Sequence, residues 1–317
     1  MTIAIIGAGM AGLSAAHALR EAGKAVHLFD KGRGPGGRMS TRRAETPLGE
    51  MRWDHGAQFF TVRDPGFAKL IDELEAAGAV AKWSGPYSDQ SIEPRYVGTP
   101  GMNAVIRSLA DGFDVSWGHR VTVIAGSAGT YQLRFETGEV VGPYEAVISA
   151  VPAEQVSPLL ASVAPQLAAE AETIHSAPSW TVMLAFAQVI EATNGKPAGS
   201  SSIGWMAKNA SKPGRGAGET WLIQATAEWS KAHLEDEKED VAAEVTREFL
   251  RLIEAPNLQP AYAAAHRWRY AFVENPTGNV ASWDPDLQFG TCGDWQVGPR
   301  VECAWLSGQA MAAKVLG

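Results

Sequence analysis

Residues 2 to 30 constrain the fold more than any other stretch. The apolar run Thr2-Ile3-Ala4-Ile5-Ile6 leads into Gly7-Ala8-Gly9-Met10-Ala11-Gly12, a helix-forming run extends to Ala22, and Val26-His27-Leu28-Phe29-Asp30 follows. A strand entering G-x-G-x-x-G, a helix opening there, and a second strand ending in an acid eighteen residues past the last glycine form a complete dinucleotide-binding βαβ unit. Gly7 permits the tight turn, Gly9 lets the main chain approach a pyrophosphate, and Gly12 lets the helix sit close on the strand. The helix N-terminus, at Ala11, directs unpaired N–H groups and its positive dipole end at phosphate. Asp30 suits the hydroxyls of an adenosine ribose and repels a 2′-phosphate. An ordinary turn with incidental glycines would not bring strand, spacing, helix and acid into agreement.

A chain of 317 residues exceeds one typical domain, so two are expected. The formal charge of -8 argues against nucleic acid or an anionic membrane as partner. The N-terminus enters a strand without a basic region and cleavage site, and no apolar run reaches about 18 residues, so a cytoplasmic location is expected. Cys292 and Cys303 make neither a disulfide framework nor a metal spacing, and no metal is expected. The eleven tryptophans fall mostly after residue 179. That placement hints at an aromatic-lined cavity in the second half, although packing accounts for most of them.

After Asp30 comes Lys31-Gly32-Arg33-Gly34-Pro35-Gly36-Gly37-Arg38-Met39, with four glycines in nine residues. Such a loop wraps a ligand closely, and Arg38 can reach phosphate. GAGMAG, FDKGRGPGGRM (29–39) and DHGAQFF (54–60) together resemble the flavin amine oxidase superfamily, whose Gly-Gly-Arg loop lines FAD. GAQFF, HRW at His266 to Trp268 and GDW at Gly293 to Trp295 resemble more specifically the bacterial renalases within it. The resemblance spans nearly the whole chain and rests on the combination, since GAGMAG is common to many flavoproteins.

The resemblance implies an α/β fold of p-hydroxybenzoate-hydroxylase-like architecture. A Rossmann-like FAD-binding domain (1–64, 95–160 and 280–317) would carry a second α+β substrate domain (65–94 and 161–279) on a mixed or antiparallel sheet. Its FAD contacts fall on Gly7, Gly9, Ala11, Gly12, Asp30, Lys31, Gly37, Arg38, Met39, Ala57, Gln58, Phe59, Val121, Gly293, Asp294 and Val301. Val121 would touch adenine through its backbone, Asp294 the ribitol, and the Val301 N–H the flavin O2 locus. The helix opening at Val301 would stabilise negative charge there.

Pattern reading fills in the rest. Asp64-Pro65 starts a helix to Gly78; Lys82 to Pro94 is polar and turn-rich; Arg95 to Gly98 is a short strand, and Thr99-Pro100 caps the next helix. Val115 to Ile124, Tyr131 to Glu136 and Glu145 to Val151 read as a meander and a returning strand, followed by a helical stretch to about Ala171. Ser179 to Ile190, Ser201 to Ala207, Trp221 to Trp229 and Tyr262 to Val273 are strands, and Leu234 to Glu254 is a helix with Glu235 to Asp240 on its solvated face. Leu287 to Cys292 is the last strand.

No Ser/His/Asp set, carboxylate pair or metal cluster stands out, so the hard chemistry is assigned to the flavin. The substrate-facing candidates are Gln58, Phe59, Phe60, Thr61, Tyr96, Val97, Gly98, His266, Trp268, Trp295 and Arg300, with Trp180 considered alongside them. His266 reads equally as a satisfied strand histidine and Trp268 as core. No cysteine occupies the upstream segment through which many amine oxidases hold flavin covalently, so noncovalent FAD is expected. The resemblance implies oxidation of 2-dihydro- or 6-dihydro-NAD(P) to NAD(P)+ by hydride transfer to flavin N5, with O2 reduced to H2O2. The residues leave open a flavin amine oxidase or desaturase, and a non-catalytic flavin-binding redox sensor.

Overall fold

The computed structural model describes residues 2–85 and 93–317. Its first layer is a six-stranded sheet in the order 282–284, 289–291, 146–149, 2–6, 25–30, 115–117. The strands are parallel except the outermost, Ser282–Asp284, which runs antiparallel to its neighbour. Helix Met10–Glu21 makes the crossover after the first strand and buries Leu13, Ala15, Ala16 and Leu19 against Ile3, Ile5 and Leu28. Burying a leucine side chain in this way stabilises by roughly 1.5–3 kcal/mol. The C-terminal helix Val301–Leu316 lies beside it so closely that a Cβ on Gly308 would stand 2.2 Å from the Ala11 carbonyl. The two ends of the chain are thus locked together.

The stretch 115–124 proves to be two strands. Gly118, at φ +77°, turns the chain, so Val115–Trp117 edges the large sheet and Val121–Ala125 opens a three-stranded meander with Tyr131–Phe135 and Val140–Tyr144.

The other large layer is an antiparallel sheet in the order 203–208, 219–225, 176–186, 262–273. Helix Lys238–Leu252 covers one face, packing Val241, Val245 and Phe249 against Trp180, Trp221 and Ile223. Expected as strand to Trp229, the third segment ends at Ala225. There the Thr226 hydroxyl accepts from the Trp229 N–H and caps the short helix Ala227–Ala232, and the covering helix begins at Lys238 rather than Leu234.

Helix Pro65–Ala76 starts as read, with the Asp64 carboxylate accepting from the Gly66 and Phe67 N–H groups at 2.8 and 3.0 Å. Its apolar face places Phe67, Ile71 and Leu74 in one core cluster with Ile3, Ile5 and Val80. Residues 86–92 of the turn-rich stretch Lys82 to Pro94 lie outside the described residues. The helix after Thr99-Pro100 begins at Asn103. A hairpin, Arg42–Thr46 with Gly49–Trp53, was not anticipated and delivers the chain to Asp54. Among the described residues no helix is long and apolar enough to cross a membrane.

Candidate functional site

The antiparallel sheet and the segments that follow strands 2–6, 146–149 and 289–291 of the parallel sheet line a cavity of about 520 Å³. Its floor is the glycine turn. Gly7 sits at φ +106°, and a Cβ there would stand 2.7 Å from the Ala150 carbonyl. Gly9, Met10 and Ala11 line the cavity. Asp30 accepts from the Ala8 N–H at 2.8 Å and the Gly32 N–H at 2.7 Å, which ties the second strand to the turn at the position expected to meet a ribose. Lys31 lies apart and donates to Gln155 Oε1 at 2.8 Å.

The second wall joins both termini. Arg38 and Asp294 form a two-pronged ion pair at 2.7 and 2.6 Å across 256 residues, and both line the cavity with Met39, Gly293 and Val301. Gly37, at φ +52°, opens the single helical turn that carries Arg38. Arg300 also lines the cavity but pairs through its Nη2 with Glu302, leaving a buried Nε without a partner. Glu302 is itself buried and accepts from the Arg63 and Asp64 N–H groups, each at 2.6 Å.

Residues 56–61 form the third wall, and the antiparallel sheet holds this segment by the His55 and Gly56 carbonyls. Trp268 Nε1 donates to His55 O at 2.8 Å and Gln224 Nε2 to Gly56 O at 3.0 Å. A Cβ on Gly56 would lie 2.1 Å from Arg38 O, so the segment runs hard against the Gly-Gly-Arg loop. Gly56, Ala57, Gln58, Phe59, Phe60 and Thr61 reach the cavity together. The Gln58 amide is turned away from it. Its nitrogen donates to Asp54 O and Gly56 O at 2.5 and 3.1 Å, and its oxygen accepts from Lys212 Nζ at 3.1 Å. Having no donor left for a ligand, Gln58 shapes the wall.

Beneath this segment lies a fully buried ion cluster in which Asp54 binds Lys212 and Arg215 at 3.2 and 2.5 Å. Burial opposes the Asp54 charge, but the two cations and the Met102 N–H hold its carboxyl at about 2, while burial draws Lys212 down to about 8. Burial, followed by nearby positive groups including Arg42, lowers His55 to about 3 and His266 to about 4. Both rings are therefore neutral at ordinary pH.

Several expected substrate contacts sit elsewhere. Trp295 is buried behind Asp294 among Val147, Phe289 and Tyr131, and its Nε1 donates to Val151 O. His266 stacks edge-on against His55 and Trp268 outside the cavity wall. Tyr96, Val97 and Gly98 pair with Val80–Lys82 behind the wall, where Tyr96 stacks on Phe60. Val121 opens the meander against the second core. Trp180 points to the helix-covered face. The sequence reading missed Ser179, Trp205 and Gln224, which do line the cavity. Phe59 and Trp205 meet at 5.4 Å and a 46° tilt, with the buried Arg95 guanidinium 4.5 and 5.3 Å from the two rings.

With this geometry in place, the sequence matches the family model described as flavin containing amine oxidoreductase over residues 88–316, and that of an NAD(P)-binding Rossmann-like domain over residues 5–74. The chain belongs to the flavin-containing amine oxidoreductase family. Among solved structures it is similar to a putative protoporphyrinogen oxidase from Exiguobacterium sp. 255-15, with a TM-score of 0.75, 14% identity, and coverage of 99% of this chain and 98% of that one. It is also similar to cyclohexylamine oxidase from Brevibacterium oxydans IH-35A, with a TM-score of 0.71, 12% identity and coverage of 99% and 98%. At these identities the likeness concerns the fold. The residues present fit a flavin. A glycine turn with open space at Gly9 and the residues Arg300, Ser179 and Trp205, each with a buried polar atom left without a partner, line one cavity, and the acid at the second strand end is tied to that turn through the Ala8 N–H.

Proposed function

We propose that the chain binds FAD noncovalently and oxidises isomeric dihydronicotinamide dinucleotides, the 2-dihydro and 6-dihydro forms of NAD(P), to NAD(P)+. The observation that carries this reading is the charge state of the cavity wall. Asp294 is the one carboxylate among the described lining residues, and it is tied to Arg38, while Arg300 is paired with Glu302. An ammonium ion finds no free counter-charge there, and burying it unpaired is costly. The tilted Phe59 and Trp205 rings already have a guanidinium at their faces. A flat neutral ring needs neither a counter-ion nor a cage. The pyridinium that hydride loss leaves spreads its charge over an aromatic ring that can lie against the indole faces instead of carrying a hydrated ammonium head.

When bound, FAD supplies a two-electron hydride acceptor that O2 reoxidises with release of H2O2. The chain's own part is to hold and orient. Gly9 and the N-terminus of the first helix receive the pyrophosphate, Asp30 the ribose, and Arg38 and Asp294 the stretch between. Phe59, Trp205 and Trp268 form walls of a slot for a planar ring. Hydride loss leaves an aromatic nicotinamide, so no protein group has to take up a proton.

Anaerobic mixing of the flavin-loaded protein with 2-dihydro-NAD, 6-dihydro-NAD and a panel of amines tests the reading. Flavin absorbance is expected to bleach rapidly with at least one dihydro isomer. Bleaching by an amine and by neither isomer would replace it with amine oxidation, which the family match favours as a second reading. Acid precipitation is expected to leave all yellow colour in the supernatant, because Cys292 is buried with its thiol pushed up to about 12 and is a poor nucleophile in that state. A coloured pellet would contradict noncovalent binding.

A further inference from the structure

We infer that the cavity-facing side of the antiparallel sheet carries a subsite that reads a primary carboxamide on the substrate ring, with Trp205, Ser179 and Gln224 as its recognition groups. This rests on the dinucleotide-oxidase reading above and adds to it how the ring is chosen and turned.

The sheet register brings the three groups together. Trp205 lies opposite Gln224, and Gln224 lies opposite Thr181 on the next strand. Directly opposed residues share a face, as do residues two apart along a strand, so Ser179 joins them. Trp205, Gln224 and Ser179 all line the cavity. Ser179 is only 2% exposed, and its Oγ has no partner. The Trp205 Nε1 is likewise buried without a partner. Two such orphans on one wall are costly unless a ligand satisfies them.

Their chemistry defines the ligand. Trp205 Nε1 only donates. The Gln224 amide is oriented by its Nε2 bond to Gly56 O at 3.0 Å, which leaves it the Oε1 acceptor and one Nε2 proton. The Ser179 hydroxyl can accept as well. The indole donor together with the Gln224 Oε1 and Ser179 Oγ acceptors complements a primary carboxamide, which presents one carbonyl oxygen and two N–H protons. A carboxylate offers no proton to the Gln224 Oε1 and sets its charge against that oxygen, and a methyl ketone likewise brings no proton to either acceptor.

The test uses flavin-loaded protein and three oxidised probes: NAD+, its 3-acetylpyridine analogue and deamido-NAD+. Each is titrated while the perturbation of the flavin spectrum is followed. Wild type is expected to bind NAD+ at least about ten-fold more tightly than deamido-NAD+, the scale of a buried hydrogen-bond mismatch. Trp205→Phe is expected to weaken NAD+ and the acetyl analogue alike, about five- to ten-fold for one neutral hydrogen bond. Ser179→Ala should weaken NAD+ by a similar factor and leave the acetyl analogue within about two-fold of wild type. Flavin content and unfolding midpoint report whether either variant is intact. The subsite is overturned if wild type shows no saturable response to NAD+, or if both intact variants bind NAD+ within about two-fold of wild type. Failure of the parent reading looks different: the probe pattern would hold while neither dihydro isomer bleaches the wild-type flavin.

Discussion

Asp54→Ala is expected to destabilise the protein by about 3–5 kcal/mol, the cost of leaving buried charge uncompensated. Asp54, Lys212 and Arg215 are all 0% exposed in their side chains. Asp54 Oδ1 accepts from the Thr41 hydroxyl and the Met102 N–H at 2.8 and 2.9 Å, and Oδ2 takes the two cations. Truncation strands a lysine and an arginine in the core together with the donors that faced the carboxylate. Lys212→Met leaves a balanced Asp54–Arg215 pair and is expected to cost only about 1 kcal/mol, chiefly the lost bond to Gln58. Denaturant unfolding of the flavin-loaded variants separates the two, and an Asp54→Ala loss below about 1 kcal/mol would refute the ion-cluster account. The pH dependence follows from the same groups. The folded Asp54 carboxyl at about 2 lies below its ordinary 3.8, so the stability it confers is present above about pH 4 and drains as pH falls toward 2. Lys212, at about 8 against an ordinary 10.5, is deprotonated in the fold before it is in the unfolded chain. Its contribution to stability therefore rises from about pH 8 to about pH 10.5, and that rise should vanish in Lys212→Met.

That cluster also marks where sequence reasoning ends. DHGAQFF was legible as a wall segment, because a glycine-bearing run after an extended stretch resembles a known pattern. The anchors that hold it, Lys212 and Arg215, stand 158 and 161 residues from Asp54, and no local periodicity links them. The strand Ser176–Phe186 makes the same point at shorter range. Its pattern fixes that Ser179 and Trp180 face opposite ways, but which face meets the cavity is decided by where helix Lys238–Leu252 packs. Attention to aromatic residues therefore weighed Trp180 and selected Trp295, both core, and passed over the small polar Ser179 that lines the cavity. Asp294 was legible because a strand, a Gly-Asp pair and a helix start follow in immediate order. Its partner Arg38 was legible by the same kind of local sign, but their mutual ion pair was not.

The glycine turn, read first from the sequence, gives the other large effect. Gly12→Ala places a Cβ 1.9 Å from the Gly7 carbonyl oxygen and 3.3 Å from the Ala150 Cβ. The first is the turn's own backbone and the second follows the adjacent strand Ala146–Ser149, so the helix must lift from the sheet. A loss of about 3 kcal/mol is expected, the upper part of the range for overpacking, together with loss of FAD retention, since the displaced N–H groups no longer converge on a phosphate. Gly9→Ala separates the two consequences. Gly9 has φ -86°, and no heavy atom lies within 4 Å of the position a Cβ would take, so the fold tolerates alanine within about 0.5 kcal/mol. Its methyl group, however, enters the cavity where the main chain must approach the cofactor. FAD titration of the apoprotein should then show affinity reduced at least about ten-fold with an unchanged unfolding midpoint, since a methyl group between backbone and pyrophosphate removes the close approach that glycine permits. Were Gly9→Ala to bind FAD as wild type does, the pyrophosphate would not lie over this turn, and the assignment of the cavity floor would have to be withdrawn.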